Sequence, residues 1–511
     1  MSYYGASLSP NKHDAAPDSP GSSVFDLPTQ PTRVSSSSST QPTDLHLDLN
    51  FDPKNTGEGA VRATDVPEVP GAPSGDAGPS FVVVSGGTGC NSICAAFGNA
   101  CYVLPVSDDG GSSSEIIRVL GGPSIGDIRS RLVRLIPHAP PGSTLDRIRN
   151  LLAYRLPARC TEREARDEWR EVVEGRSFLW SGIPNDRKEL IRGFLVYFEN
   201  QVLKRAHKNF SFLNGSIGNY FLAAAQEFFR SLPSAIFLFS SITNSQAHIL
   251  PVIVTNHTVT IAAELENGER LVGQCEISHP VEGATFRIML DGADSDESDP
   301  MSPVSDLDGT IAKPHNVLFE SSGKEEYEPL DARISRLFYI NAYGNEIHPS
   351  PNQEYITNLG NKDVLVYSCG SLWTSIIPCL ALRSVANAIA RSQSLRAKIL
   401  LLNSQNDRET DGYSAEDYIK VIVRTLNTPY HRHYDGIRNS TTTYPVSAFV
   451  THLLYLRGTL VPVDVETVTA LGVKCVEVDG VEDEKTKVPR FTASSVRKAI
   501  NDLLDDESTA P

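Results

Sequence analysis

Phe81-Val82-Val83-Val84-Ser85-Gly86-Gly87-Thr88-Gly89 decides the reading of this chain. Four apolar, mostly β-branched residues in a row suit a strand buried on both faces of a parallel sheet. Gly86, Gly87 and Gly89 follow at once and let backbone N–H groups approach a ligand without a clashing Cβ. Residues 91–97 then predict a helix, whose N-terminus offers free N–H donors and partial positive charge, a seat for phosphate. Thr88 and Asn91 can add side-chain donors. The Walker A pattern is absent, because no Lys-Ser/Thr follows. The dinucleotide pattern G-x-G-x-x-G is incomplete, since Ser92 stands in the third place. A purely structural turn is the alternative reading.

A second strand at 101–106 leads into Asp108-Asp109-Gly110-Gly111-Ser112-Ser113 and a helix at 115–120. Two strand–loop–helix units in succession predict an α/β fold with a mainly parallel sheet and flanking helices. Ligands of such sheets bind beyond the carboxyl ends of the strands, where both loops fall. Adjacent carboxylates repel each other unless a positive charge is near. Mg²⁺ prefers hard oxygens and commonly bridges carboxylates and phosphates. Asp108 and Asp109 are therefore metal candidates, with Gly110, Gly111 and Ser112 as phosphate donors. A ribose grip by Asp108 is a second reading, and an exposed turn a third.

Further loops add donors. Gly126-Asp127-Ile128-Arg129-Ser130-Arg131 supplies Arg129 for bidentate phosphate contact, or else a helix capped by Asp127. Asn214-Gly215-Ser216-Ile217-Gly218-Asn219 opens a helix and presents Asn219. Gly370-Ser371-Leu372-Trp373-Thr374-Ser375 opens another, with Gly370, Ser371 and Thr374 as donors. Trp373 either stacks on a base or fills the core.

Residues 161–208 read as amphipathic helix broken near 181–186, 217–229 as helix and 235–239 as strand. Asn267-Gly268 between β-type runs at 259–265 and 270–274 predicts a small antiparallel hairpin excursion. The α/β rhythm resumes with strands at 364–368, 398–403, 449–456 and 474–478, and helices at 376–391, 415–426 and 465–470. Residues 1–79, rich in Ser, Pro, Thr, Asp and Gly, predict a disordered tail. Residues 291–329 predict a flexible, disordered acidic insert. The expected organisation is tail 1–79, one nucleotide-binding domain 80–480, and a polar extension 481–511 with a short helix at 494–504. A chain beginning near Pro79 should keep the melting temperature of the full protein; a large loss on truncation would contradict this.

Composition narrows the function. Of the 511 residues 40% are hydrophobic, enough for a sizeable core. The net charge of -16 argues against nucleic-acid and anionic-membrane partners. The 8 cysteines include no C-x-x-C pair, which disfavours zinc and suits a reducing compartment. No apolar run reaches the roughly 20 residues of a membrane span, and the N-terminus lacks a signal-peptide pattern. The default compartment is the cytosol (cytoplasmic), with the nucleus as the alternative. A homo-oligomer is compatible with all of this.

Several blocks, in order, resemble the superfamily of 2-phospho-L-lactate transferases (CofD-like) and bacterial gluconeogenesis factors (YvcK-like). They are Ser85-Gly86-Gly87-Thr88-Gly89, residues 107–113, 126–129, 216–224 (SIGNYFLAA), 249–252 and 370–378, and Glu409-Thr410-Asp411-Gly412-Tyr413. The blocks are more similar to the gluconeogenesis-factor branch. The resemblance implies a Rossmann-like sheet with its ligand site at these loops. In the transferase branch a divalent cation helps move a phospho-lactyl group from a guanosine diphosphate carrier to a deazaflavin alcohol. In the other branch the ligands are UDP-sugars and catalysis is not established. By resemblance Gly87, Thr88, Gly89, Asn91, Asp108 and Asp109 are the leading ligand or metal residues, followed by Asn219, Ser371, Thr374 and Asp411. Cys369 stands where a proline is common, and residues 404–408 are longer than the bacterial form; both departures fall on the acceptor side. The expectation is a protein that binds a nucleotide diphosphate ligand, either a metal-assisted transferase with Mg²⁺ or a non-catalytic nucleotide-sugar regulator of carbon metabolism. No catalytic residue is identified.

Overall fold

The computed structural model describes residues 78–87, 89–279, 328–428 and 443–509. The expected tail and acidic insert fall almost wholly outside these residues, as does Thr88. Strands β1 (Phe81–Val84), β2 (Cys101–Leu104), β3 (His248–Pro251), β4 (Thr260–Leu265), β5 (Arg270–Val272), β6 (Ile334–Ile340), β7 (Glu346–Ile347), β8 (Val364–Tyr367), β9 (Ala397–Leu401), β10 (His452–Leu456) and β11 (Lys474–Val478) build two sheets. The main sheet has the order β11-β10-β9-β8-β1-β2-β3. All its pairings are parallel. β1, β2, β8 and β9 are buried at every position, as the apolar runs of β1, β2 and β8 require, and β9 buries Lys398 among its apolar residues.

Chain order reverses at the centre of this sheet. From β1 the chain winds outward through β2 and β3, and from β8 it winds the other way through β9 to β11. The crevice between the β1 and β8 loops is thus the topological switch point, the usual ligand position in such sheets. Val83 pairs with Tyr102 on one side and Val366 on the other. Ser80 ties the two halves together, donating to Asp363 from its backbone N–H (2.8 Å) and its hydroxyl (2.6 Å).

The Asn-Gly hairpin is present as β4 and β5, within a four-stranded antiparallel sheet β5-β4-β6-β7. β6, which follows the acidic insert, was not foreseen. The C-terminal extension packs on the sheet. Its helix Ala493–Thr509 holds the turn after β1 through Arg497, which donates to the Ala96 carbonyl at 3.2 Å.

Three expectations are corrected. Residues 235–239 belong to the helix Leu232–Ile242, not to a strand; Ser231 caps it and Pro233 sits in its first turn. A five-residue apolar run is too short for periodicity to separate strand from buried helix. Residues 91–97 form turns and a short 3₁₀ segment, Cys94–Ala96, rather than an α-helix. The expected helix 376–391 is split into Ile377–Leu380 and Val385–Ala390, with Ser384 left-handed at φ 71°.

Candidate functional site

The glycine loop after β1 is closed by its neighbours. An added Cβ at Gly86 would meet the Ser375 side chain, and one at Gly87 would lie 2.7 Å from Asp127 Cα. At Gly89 it would lie 2.5 Å from the Cys369 carbonyl oxygen and 2.8 Å from Gly370 Cα. The absent side chains therefore face protein: they let three loops of the carboxyl edge come together. Asn91 is committed to the same closure, donating to the Gly87 carbonyl at 2.6 Å and to Ser130 Oγ at 3.1 Å. Arg131 points inward, onto Ser85 and Gly86, and so is not a ligand residue.

The Asp108–Ser112 loop is different. The helix Gly111–Leu120 begins here with no side-chain cap, leaving its first N–H groups available. Gly111 takes φ 53° to turn the chain into it. Asn219 donates to Ser112 Oγ at 2.7 Å and accepts from Arg129 Nε at 3.2 Å. Arg129 is half-buried and has no carboxylate ion pair among the described residues. Burial and then Arg155 pull its pKa down to about 10, against the pull of Asp108. Arg155 lies at the exposed rim, its Nη1 4.0 Å from where a Gly111 Cβ would stand. An uncapped helix N-terminus flanked by two guanidiniums is an anion seat in chemical terms.

The paired aspartates diverge. Asp108 accepts from Gly110 N–H at 3.0 Å and lies beside Gly126, Ser113 and Asp127. Asp109 turns to the antiparallel lobe and accepts from Cys275 N–H at 2.8 Å. The carboxylate that most opposes Asp108 is thus Asp127, in the next loop on, rather than its neighbour Asp109. Asp127 does not cap its helix, because Ile125 holds that position; it accepts from Gly87 N–H instead. Burial first and Asp127 second push Asp108 up to about 8, and burial pushes Asp127 up to about 6.

A stability prediction follows. Asp108 binds its proton more tightly folded than unfolded, so folding free energy is lost as pH rises from 3.8 to about 8. Asp127 and Glu409 act with the same sign up to about 6 and about 7. The melting temperature should fall between about pH 5 and pH 8, and Asp108→Asn should flatten the upper part of that fall. Parallel curves for the two proteins in a pH-dependent melt would contradict this.

Around the β8 loop a second seat is already filled by the protein. Glu409 is buried and accepts from Trp373 N–H (3.0 Å), Thr374 N–H (3.1 Å), Thr374 Oγ1 (2.5 Å) and Ser278 Oγ (2.7 Å). Burial and then Asp407 raise it to about 7. Thr374 is therefore turned onto Glu409, Ser371 bonds Asp407, and Gly370 is held by Asn403 at both its N–H (3.0 Å) and carbonyl (2.8 Å). Trp373 is fully buried and bonds Tyr413 Oη at 3.3 Å, which makes it a core residue. Asp411 sits on an exposed turn after the short helix Arg408–Thr410.

The fold thus brings Asp108, Gly110, Gly111, Ser112, Arg129 and Asn219 together. It spends Gly86, Gly87, Gly89, Asn91, Gly370, Ser371 and Thr374 on joining the loops. Asp127, Arg155, Asn403 and Glu409 were missed. Glu409 stood in a quoted block, but only its neighbour Asp411 was singled out. Arg155 carries no motif that could have marked it. Among the described residues no group of three or more His, Cys, Asp or Glu could hold a metal by itself, and no helix is long and apolar enough to cross a membrane.

Comparisons agree with the fold. A crystal structure of a member of the UPF0052 family from Bacillus halodurans matches with a TM-score of 0.52 at 20% identity, covering 83% of this chain and 99% of that one. A gluconeogenesis factor of Halalkalibacterium halodurans is 22% identical over 349 residues, 67% of this chain and 73% of the relative. An uncharacterized protein of Saccharomyces cerevisiae is 34% identical over 445 residues, 80% of this chain and 97% of the relative. Residues 81–481 match the family described as 2-phospho-L-lactate transferase CofD. That match runs from the first strand of the main sheet past its last, and the chain belongs to the 2-phospho-L-lactate transferase CofD family.

Proposed function

We propose that this protein binds the diphosphate of a nucleotide ligand at the start of the helix Gly111–Leu120. The observation that carries the reading is Arg129: a half-buried guanidinium, unpaired with any carboxylate among the described residues, beside an uncapped helix N-terminus. A cation so placed lacks a countercharge that a phosphate would supply. The β8 loop offers no equal seat, because Glu409 fills it.

The donor set fits Mg²⁺ in part. Mg²⁺ is usually held by one or two carboxylates together with substrate phosphates. Asp108 would hold it, since a cation would offset the burial and, second to it, the repulsion from Asp127 that together favour its protonated form. Asp109 is less suited, its carboxylate already accepting from Cys275 N–H. When bound, the ion would neutralise charge on the phosphate oxygens. Arg129 and Arg155 would orient the diphosphate, and Asn219 would hold Arg129 in place. This serves a transfer of a phosphorus-containing group. The relative named gluconeogenesis factor favours a second reading, a non-catalytic nucleotide-sugar regulator that uses the same seat.

Thermal-shift measurements with GDP, UDP-sugars, NAD and NADP, each with and without Mg²⁺, test the proposal. Nucleoside diphosphates should raise the melting temperature; a response to NAD alone would refute it. Asp108→Asn should weaken nucleotide binding in Mg²⁺ and leave binding in EDTA unchanged. Loss in both conditions would point to a ribose grip, and no loss in either would remove Asp108 from the site. Turnover with a nucleoside-diphosphate donor separates transferase from regulator.

A further inference from the structure

Beneath the glycine loop lies a buried cation with no carboxylate in hydrogen-bond contact among the described residues. Arg131 is 0% exposed. Its guanidinium donates to Ser85 Oγ (2.9 Å), the Gly86 carbonyl (2.8 Å) and Cys94 Sγ (2.5 Å), and lies 4.9 Å from the Tyr102 ring centroid. Its Nε has no partner. Asp127, one helical turn earlier, gives its carboxylate to Gly87 N–H instead. A guanidinium withdrawn from water requires a countercharge. The groups in contact that can carry one are the buried thiols of Cys90 and Cys94, since burial holds the Tyr102 phenol firmly protonated.

We propose that Cys90 and Cys94 form an oxidisable dithiol, one sulfur held as thiolate by Arg131, which a hydroperoxide converts to a disulfide. Cys94 donates its thiol to the Cys90 carbonyl at 3.3 Å. The Cys94 thiol and, after the opposing effect of burial, Arg131 bring Cys90 down to about 6. The two residues span one turn closed by Ile93 N–H on the Cys90 carbonyl at 3.1 Å. That turn folds the chain back so that the Cys94 sulfur stands against the backbone of Cys90, which makes the two side chains close neighbours. Gly89 and Ala95 on either side, and Ser92 between them, are exposed, so the pair lies one residue below the surface.

The chemistry balances with the peroxide as oxidant. The thiolate attacks one peroxide oxygen, an S–O bond forms, the O–O bond breaks, and the leaving alkoxide or hydroxide takes a proton from water. The second thiol then attacks the sulfenic sulfur; the S–S bond forms and water leaves with the thiol proton. Two thiols are oxidised and one peroxide is reduced. Oxidation removes the anion beside Arg131 while that residue still grips Ser85 and Gly86, the start of the loop. On the proposed diphosphate reading, the disturbed loop shifts Asp127 through Gly87 and with it Asp108, and nucleotide affinity falls.

The test treats the full chain with hydrogen peroxide and follows disulfides by unreduced peptide mass mapping, and GDP and UDP-glucose affinity in Mg²⁺ by titration. A Cys90–Cys94 disulfide should form, affinity should fall about tenfold, and dithiothreitol should restore both. Cys94→Ser should stop at a sulfenic acid on Cys90 that dimedone traps, and Cys101→Ser should still form the disulfide. Both thiols remaining reduced while the more exposed Cys160 is oxidised would overturn the proposal, as would a bridge from Cys90 to Cys369. An unchanged affinity in the disulfide form would overturn the link to the loop. If the disulfide forms but the reduced protein binds neither nucleotide, the diphosphate reading fails and the dithiol stands.

Discussion

Gly89→Val should leave the protein unfolded under conditions where the native chain is stable. The new side chain would start 2.5 Å from the Cys369 carbonyl oxygen and 2.8 Å from Gly370 Cα. Both are backbone atoms, so no flexible side chain can swing away. Gly370 is pinned in turn by two hydrogen bonds to Asn403, at 3.0 and 2.8 Å. Overpacking usually costs about 1–3 kcal/mol and more where nothing yields. Total stability is only about 5–15 kcal/mol, and here the clash falls between the two central loops of the sheet. Gly193→Ala is the control: nothing lies within 4 Å of its Cβ position, and in the helix Asn185–Lys204 alanine should add up to about 1 kcal/mol. Circular-dichroism melts of both variants decide the matter. A folded Gly89→Val protein melting like the parent would show that the β1 and β8 loops are not packed as described.

The second large effect concerns affinity. Arg129→Ala should weaken nucleoside-diphosphate binding by about 1.5–3 kcal/mol, the range for a hydrogen bond to a charged group. That is roughly 10-fold to 150-fold in Kd. Stability without ligand should change little, because the side chain makes one long hydrogen bond, 3.2 Å to Asn219 Oδ1. Arg129→Lys should recover part of the loss, keeping the charge without the planar fork. Titration calorimetry of all three proteins reads this directly. Equal affinity in the alanine variant would sink the diphosphate seat.

Much of the fold was legible because central strands such as β1 and β8 are continuous apolar runs that end in a Ser- and Gly-containing loop. The segments 217–229, 465–470 and 474–478 were located to the residue, each bounded by a capping residue or a turn. The misreading of 235–239 has a local cause: Ile236, Phe239 and their neighbours are apolar on most faces, so no helical stripe shows. β6 lay beyond a long acidic stretch, and its adjacent partner β7 spans only Glu346–Ile347, too short to mark a hairpin. The site was legible as a set of loops but not as a division of labour. Sequence adjacency made Asp108 and Asp109 look like a pair, whereas the backbone turn between them sends one to Asp127 and the other to Cys275. The glycines were read as room for a ligand, but at Gly86, Gly87 and Gly89 the room is taken by Ser375, Asp127 and Cys369. Such assignments depend on contacts between distant segments, which no local pattern encodes.

The central pairing of the sheet bears on how the chain is made. β1 lies between β2 and β8, and its partner on the β8 side, with the Ser80–Asp363 clasp, arrives 283 positions later. Synthesis at about 5–20 residues per second separates the two by roughly tens of seconds. Through that interval the Phe81–Val84 strand has one edge unpaired, and a run of valines with an open edge is a template for association with other nascent chains. Early release between β3 and β8 would therefore yield sticky half-sheets rather than a smaller working protein. Expression fragments that end before Val364 should accumulate as aggregates, and cellular production of the whole chain should draw on holdase chaperones for the span in which its first strand waits.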